Sequence, residues 1–594
     1  MEETAKKTQN KKVVVIGAGP AGLTASYQLS RAGVESIVLE KDQTVGGISR
    51  TVNYKDYHFD IGGHRFFTKI DEVDRMWQSI LDDDFLKRER LSRIYYDKKF
   101  FYYPLRPFNA LLGLGLWNSI LILGSYLLSR LIPSKPEETF EQWVSNRFGK
   151  RLYHIFFKTY TEKVWGISCN EIRAEWAAQR IKGLSLVTAI KDSLMKSQNN
   201  SHNKQNVIKT LVDQFHYPKL GPGMMWRAVA EKIQSNGSEV RMEAEVTGIV
   251  CSEKRVEAVE AERNGKLDRI SGTDFICSMP IRELVQKIKP PVPKKILDAA
   301  NNLQYRDFIT VALIINKGDV FPDNWIYIHD PDVKVGRIQN FKNWSPYMVP
   351  DQSKTCLGLE YFCFENDPLW KMSDRELIDL GVREMEALGF ANQRDVLDGT
   401  VVRMPKAYPV YDSKDRDSVT IIRDYLDQME NLHLVGRNGQ HKYNNQDHSM
   451  LTGMMAAKNV LGGNHNLWKV NEETEYHEEM VLKPLMRAFS RLDKFGFATA
   501  LGSVSGLFTF LATIFLVIKG GEVVGPNLRL LNEYFFGYTV TLKGAFIGAS
   551  YSFLWAFIFG WLVAYLRNFF VGFFIYRIQR KAEMLSFRDF LDHF

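Results

Sequence analysis

Three rhythms of apolar and polar residues run along this chain. Near the N-terminus four apolar residues, Val13 to Ile16, lead into a glycine turn, a helical stretch from Leu23 to Ala32 and a second apolar run from Ser36 to Leu39. Short apolar runs bounded by glycine read as buried strands, and the stretch between them as the crossover helix of a βαβ unit. The second rhythm is one of short strands: Glu239 to Met242, Glu245 to Ser252, Thr273 to Cys277, a strand-rich region from Ile309 to about Val410, and Leu432 to Val435. Between the two, residues from about 135 to 215 repeat helically with many aromatic residues, and the polar stretch 191–207 is expected to be a loop. The third rhythm is long and uncharged. No charge falls between Arg106 and Arg130, within Phe495 to Ile518, or within Gly544 to Leu566. A bilayer takes about 20 such residues.

The last two runs are expected to cross a membrane. Arg487, Arg491 and Lys494 precede the first, and Arg567, Arg577, Arg580 and Lys581 follow the second, so both outer flanks read as cytoplasmic and 519–543 as the far side. An amphipathic tail, Ala582 to Phe594, is expected to follow. A single crossing at 106–130 would part the glycine turn at Gly17 from the Gly436-Arg437 motif. That segment is therefore expected to lie in the interface or to pack as a helix pair, and a role in drawing in a lipid substrate is its sharper reading. The first twelve residues are polar and hold no apolar signal core, so the catalytic body is expected on the cytoplasmic face of the inner membrane.

Charged residues are 25% and apolar residues 45%, an ordinary globular balance. The net charge of +8 is spread over mixed signs without a basic stripe, which argues against nucleic acid and suits anionic lipid. Five cysteines, Cys169, Cys251, Cys277, Cys356 and Cys363, show no metal or redox spacing and read as thiols in a reducing compartment. No protease, esterase or kinase signature is present.

The chemistry begins at Gly17-Ala18-Gly19-Pro20-Ala21-Gly22. In a GxGxxG turn Gly17 permits the tight bend, Gly19 admits a pyrophosphate, and Gly22 lets helix and strand pack closely, while the helix N-terminus faces the phosphates. Glu40, at the end of the second strand, stands where an acid can accept ribose hydroxyls. The chain therefore reads as binding a dinucleotide.

Val45-Gly46-Gly47-Ile48-Ser49-Arg50-Thr51 resembles the second glycine motif of glutathione-reductase-like and amine-oxidase-like flavoproteins, which favours FAD over NAD. Gly62 and Gly63, in Asp60-Ile61-Gly62-Gly63-His64-Arg65-Phe66-Phe67-Thr68, allow close approach to a flavin ring, and His64 resembles the histidine that UDP-galactopyranose mutases place beside it. Tyr160-Thr161-Glu162-Lys163-Val164-Trp165-Gly166 resembles the mutase YTxKxWG segment, with Trp165 on its active-site tryptophan. Tyr305-Arg306 resembles the pair whose arginine meets the substrate diphosphate. Gly436-Arg437, followed by Lys442 to Asp447, resembles the mutase GR…YxYxDMD signature, which puts Arg437 near the flavin and Tyr443 on the substrate phosphates. Val246 falls where such folds cap the adenine. The resemblance spans roughly residues 12 to 460. The wider family of amine oxidases, protoporphyrinogen oxidases and carotenoid desaturases shares only the FAD motifs.

Two departures stand out. Asn445 replaces the mutase aspartate, and Leu184 stands where a second diphosphate-binding arginine is expected after Arg180. Fewer cations suit one phosphate rather than two, with Arg180, Arg337 or Lys442 as candidates to supply charge. His441 and His448 read as loop histidines and His329 as a turn residue.

The resemblance implies an α/β fold. It has a Rossmann-type FAD-binding domain with a helical insertion, a mixed β-sheet substrate domain and C-terminal transmembrane helices. The expected boundaries are 1–105, 216–290 and 426–465 for FAD binding, 106–215 for the helical interface region, 291–425 for the substrate domain and 466–594 for the anchor. It also implies a pyranose/furanose mutase that uses reduced FAD as a covalent catalyst. The expected substrate is a phosphate-linked sugar, polyprenyl-linked because a long lipid tail stays in the bilayer, with a nucleotide-linked sugar as the other carrier. Membrane lipids and an electron donor that reduces the flavin are further expected partners. The alternatives are an FAD-dependent oxidase or desaturase of a lipophilic substrate, and a non-catalytic anchor that keeps a relict flavin domain.

Overall fold

The computed structural model describes residues 11–103, 107–174, 214–410, 415–471, 492–520 and 525–591, the side chains only as far as Phe570 in the last stretch. Arg180, Leu184, the stretch 191–207, Arg487, Arg491 and the side chains of the C-terminal tail lie outside these. Two compact units divide the chain, Met1–Met480 and Val481–Phe594.

At the heart of the first unit is a parallel sheet of five strands in the order Leu432–Leu434, Asp274–Cys277, Val13–Ile16, Ser36–Leu39 and Glu239–Arg241. Val13, Val14 and Val15 are fully buried. A strand covered on both faces has no polar side to show, so the run does not alternate. The crossover helix is Pro20–Arg31 and begins three residues before the expected Leu23. Proline suits that first turn, because its missing N–H would have had no partner there. The helix Gln446–Val460 crosses it so closely that a Cβ on Gly453 would lie 2.2 Å from the Ala21 carbonyl oxygen.

A second sheet has seven strands in the order Val396–Pro409, Tyr305–Ile315, Thr355–Cys363, Arg337–Asn340, Trp325–Ile328, Ser92–Tyr96 and Lys99–Tyr102. Two of its inner strands, Tyr305–Ile315 and Thr355–Cys363, are buried along their whole length. A four-stranded sheet, Glu245–Ser252 with Arg255–Arg263, Lys266–Ser271 and Ile288–Lys289, packs on one face of the first, its Val246, Ile249 and Val259 in one buried cluster with Val14, Ile16 and Phe275. The fold is thus α/β, with a Rossmann-type part, a mixed seven-stranded sheet and a helical insertion.

The insertion opens with the helices Pro107–Leu114 and Leu116–Leu131. Gly115 between them has φ +87°, a left-handed bend that breaks one long apolar run into a pair. The Lys150–Tyr153, His154–Lys158 and Thr159–Trp165 segments then run on as one helix, whose middle segment is a π-turn.

In the second unit, the helices Lys494–Lys519 and Leu542–Leu591 pack on each other. Both are long and apolar enough to cross a membrane, with mean hydropathy 2.2 and 1.7 over an 18-residue stretch within Lys494–Lys519 and Leu542–Phe570. Their contact uses small residues: Cβ atoms on Gly502 and Gly506 would meet the carbonyl oxygens of Phe553 and Ala549 at 2.9 and 3.0 Å. Thr509 and Ser552 share a hydrogen bond of 2.8 Å across the pair. Large apolar side chains such as Phe508, Phe515 and Phe559 point outward. Small residues inside and greasy ones outside is the pattern of helices packed in lipid.

Candidate functional site

The strand Val13–Ile16 ends at Gly17, where φ is +98° and a Cβ would sit 2.3 Å from Ser278 Oγ. Only glycine can make that turn. A Cβ on Gly22 would fall 2.0 Å from the Gly17 carbonyl oxygen, so helix and turn touch backbone to backbone. Nothing stands within 4 Å of where a Gly19 Cβ would be. That open side is the approach a pyrophosphate needs. The second glycine motif folds onto the first: Gly46 donates its N–H to the Ala18 carbonyl at 2.8 Å, and a Gly47 Cβ would lie 3.3 Å from Gly19 Cα. Arg50 is ion-paired to Asp42 at 2.6 Å.

Glu40 is engaged within the turn. Its carboxylate accepts the N–H of Ala18 at 2.7 Å and that of Asp42 at 3.0 Å, so it fastens the turn itself. Burial raises its pKa, and those two donors only partly offset the rise. Val246 is buried in one cluster with Leu39 and Ala244, at the end of the second strand. Gly436 packs against the first helix, where its Cβ would lie 3.0 Å from Ala21 Cβ.

Beyond the cradle, several half-buried polar and aromatic side chains converge. Arg437 donates to the carbonyls of Asn444 and Ala407 at 2.9 and 3.0 Å, and its guanidinium lies 4.8 Å from the Tyr443 ring and 5.2 Å from the Tyr408 ring. Those two rings stack at 5.6 Å, and Trp165 lies 6.2 Å from Tyr443. Arg337 is ion-paired with the fully buried Glu360, its neighbour across the strands, and Gln339 donates to the other carboxylate oxygen at 2.7 Å. Tyr160 and Tyr408 both feel the charges of Arg337 and Glu360, and burial raises both phenols first of all.

Gly62 and Gly63 border this cage. A Cβ on Gly62 would meet His64 at 3.7 Å and Arg337 at 3.8 Å, and one on Gly63 would meet Gln339 Nε2 at 2.9 Å. His64 is pushed down to about 3, by burial first and then by the charges of Arg437 and Arg337. It therefore stays neutral, able to donate or accept a hydrogen bond but not to carry charge. Gln446 donates to the His64 carbonyl at 3.3 Å, while its own Oε1 is buried with no hydrogen-bond partner among the described residues. With the open side of Gly19, such an atom fits a polar cofactor lying along the cradle.

Other expectations change. Arg306 is not open to a phosphate. It donates to the carbonyls of Val164, Phe362 and Lys163 at 3.1, 2.9 and 3.2 Å, lies 3.6 Å from Asp367 and covers Phe364 at 4.2 Å. It ties the end of the Thr159–Trp165 helix to the seven-stranded sheet. Asn445 caps the Gln446–Val460 helix through a reciprocal capping box with His448. Lys442 donates to the carbonyls of Trp468 and Val470 at 3.0 and 2.5 Å and so braces the following chain. His329 is no exposed turn residue: it is buried and stacks on Tyr160 at 4.7 Å. Burial and then the charge of Lys163 push it down to about 3. Tyr160 and Tyr408 were not singled out from sequence, although Tyr160 lies inside the YTxKxWG-like segment. Four of the five cysteines are buried, none in a disulfide.

A glycine-lined dinucleotide cradle that opens onto a polar aromatic cage defines a flavoprotein. A model of the family described as flavin containing amine oxidoreductase matches residues 20–461. The chain belongs to that family, and its cofactor is FAD. Among solved structures it is similar to a reduced UDP-galactopyranose mutase, with TM-score 0.67 and 21% identity, over 78% of this chain and 96% of that one. It is also similar to a putrescine oxidase, with TM-score 0.51 and 15% identity, over 76% and 99%. An L-amino-acid oxidase of Sistrurus catenatus edwardsii is 22% identical over 338 residues, 52% of this chain and 58% of that protein. The L-amino-acid oxidase of Crotalus adamanteus reaches 48%, but over 59 residues, so the chain spans 11% of that relative's length.

Proposed function

We propose that the protein is a flavin-dependent pyranose/furanose mutase acting on a sugar carried by a phosphate, with polyprenyl phosphate as the carrier. The observation that carries this reading is the cage: Arg437 and Arg337 among Tyr408, Tyr443 and Trp165, beside a neutral His64. A site for a greasy amine or polyene has no need of two arginines, whereas a departing and returning phosphate does. Bound in its reduced form, FAD supplies the covalent catalyst for ring opening and closure. Arg437 and the Tyr443 hydroxyl hold the phosphate. Arg337 is partly neutralised by Glu360, which leaves the cage less cationic than a diphosphate would ask. Trp165 covers the sugar face, and neutral His64 orients its neighbours without adding charge. Carriage on a polyprenyl chain draws support from the two helices long and apolar enough to cross a bilayer. An inner-membrane anchor with the catalytic body toward the cytoplasm follows from the same reading.

Mass tests it. The chemically reduced protein, kept from oxygen, converts a phosphate-linked hexose into its other ring form with no change of mass and no acceptor consumed. Its similarity to L-amino-acid oxidases favours one second reading, an oxidoreductase. In that case the oxidised protein bleaches its flavin with a lipophilic amine or amino acid, and the product loses mass.

A further inference from the structure

One face of the Leu116–Leu131 helix packs on the body: Ile122 is fully buried and Tyr126 nearly so. The other face is bare. Trp117, Ile120, Leu127, Leu128 and Leu131 are exposed, Trp117 by 72% and Leu131 by 80%. Their spacing of three and four residues puts them on one stripe. Exposed apolar stripes of this size on a globular body mark an interaction surface.

Beside the stripe lies a cleft of about 720 Å³. Leu114 and Leu121 line it together with Ser125, Lys150, Arg151 and His154, and Asp97 is also at the lining. The three basic residues are exposed. Their segment is held in place. A Cβ on Gly149 would lie 2.8 Å from Tyr126 N, so the two helices meet at backbone distance. Arg151 donates its N–H to Ser125 Oγ at 3.1 Å and its guanidinium to Asn118 at 2.6 Å.

We propose that this face docks on an anionic bilayer, with the apolar stripe among the acyl chains and Lys150, Arg151 and His154 around a headgroup phosphate. Apolar side chains flanked by cations are the makeup of a helix that lies in an anionic interface. The proposal rests on the membrane reading of the C-terminal helices and deepens it. The helix that carries Arg151 also carries Tyr160 and Trp165 of the cage, about 14 and 21 Å further along at 1.5 Å per residue. Docking there fixes the cage at a set height over the headgroups, where a lipid-borne phosphate can reach it.

The test labels Leu128→Cys, in a full-length Cys251→Ser background, with an environment-sensitive fluorophore. The other native thiols are buried. The protein is placed in nanodiscs of phosphatidylcholine with or without phosphatidylglycerol. Docking predicts a blue shift, and quenching by brominated acyl chains, with phosphatidylglycerol present. Both weaken in phosphatidylcholine alone and with added salt. Changing Lys150, Arg151 and His154 together to Gln removes the dependence on anionic lipid while bound flavin is retained. No shift in either disc overturns the proposal, and equal shifts in both overturn its anionic part. Should the protein fail to enter discs, the anchor reading fails instead. Anionic vesicles added to the labelled protein then decide docking alone, a shift supporting it and none overturning it.

Discussion

Around Gly17 the protein offers backbone; around Arg437 it offers charge and rings. The cradle works because side chains are missing, so that turn, helix and second glycine motif touch within 2.0–3.3 Å of where Cβ atoms would be. The cage works because side chains from remote segments arrive together and hold one another, Arg437 over two tyrosines and Arg337 on Glu360. Added bulk should therefore break the first region, and loss of charge the second. A variant that harms both equally would erase the distinction.

The largest effect is expected at Gly22→Ala. The new methyl falls 2.0 Å from a backbone oxygen that cannot move aside. The purified variant should lose most of its flavin absorbance on gel filtration, while its far-UV circular dichroism keeps the helical and sheet content. Next comes Glu360→Ala, which leaves Arg337 buried without its partner. It should cost about 3–5 kcal/mol of stability in denaturant titration, with flavin still bound to the folded fraction. Third is Arg437→Ala. It should lower kcat/KM for the phosphate-linked sugar about 100-fold while most of the flavin remains. If flavin leaves instead, Arg437 belongs to the cradle.

The smallest effect is a pair of opposed pH slopes. His64 is pushed from 6.5 down to about 3, so below pH 6.5 the unfolded chain binds its proton more readily and stability falls as pH drops toward 3. Asp60 is pushed from 3.8 up to about 7 by burial, against hydrogen bonds from Tyr217 and Thr51. Its contribution is present below about pH 4 and lost as pH rises through 7. Between pH 4 and 6.5 the two oppose each other, each by at most about 1.4 kcal/mol per pH unit. Thermal melts of His64→Gln should therefore fall with rising pH over this window, and those of Asp60→Asn should rise. Parallel melts for the two variants would contradict the assignment of these groups.

The same contrast explains what the chain reveals before folding. The cradle is local, since Gly17, Gly19, Gly22, Gly46 and Gly47 lie within thirty-one residues and their spacing states the turn. Strand and membrane-length runs were legible for the same reason, in their periods. The cage is assembled by register. Tyr408 faces Arg306 only because the strand Val396–Pro409 pairs with Tyr305–Ile315, and Arg337 faces Glu360 only across another pair. Nothing within a few residues of Tyr408 announces that. Arg306 misled for a related reason. Its motif marks an arginine, but not the three carbonyls that surround it. The bend at Gly115 shows the limit of composition, because one glycine turns a span-length run into two short helices.

The central claim is that the cage isomerises a lipid-borne, phosphate-linked sugar. The direct measurement incubates the detergent-purified protein, reduced with dithionite under nitrogen, with polyprenyl-phosphate hexose and with UDP-hexose in separate vessels. Pyranose and furanose forms are resolved by chromatography and weighed by mass spectrometry. Interconversion of the polyprenyl-linked sugar at constant mass, only with reduced flavin, is the predicted result. Turnover of UDP-hexose alone would contradict the lipid carrier. No isomerisation of either, with flavin reduction by a lipophilic donor, would contradict the mutase itself.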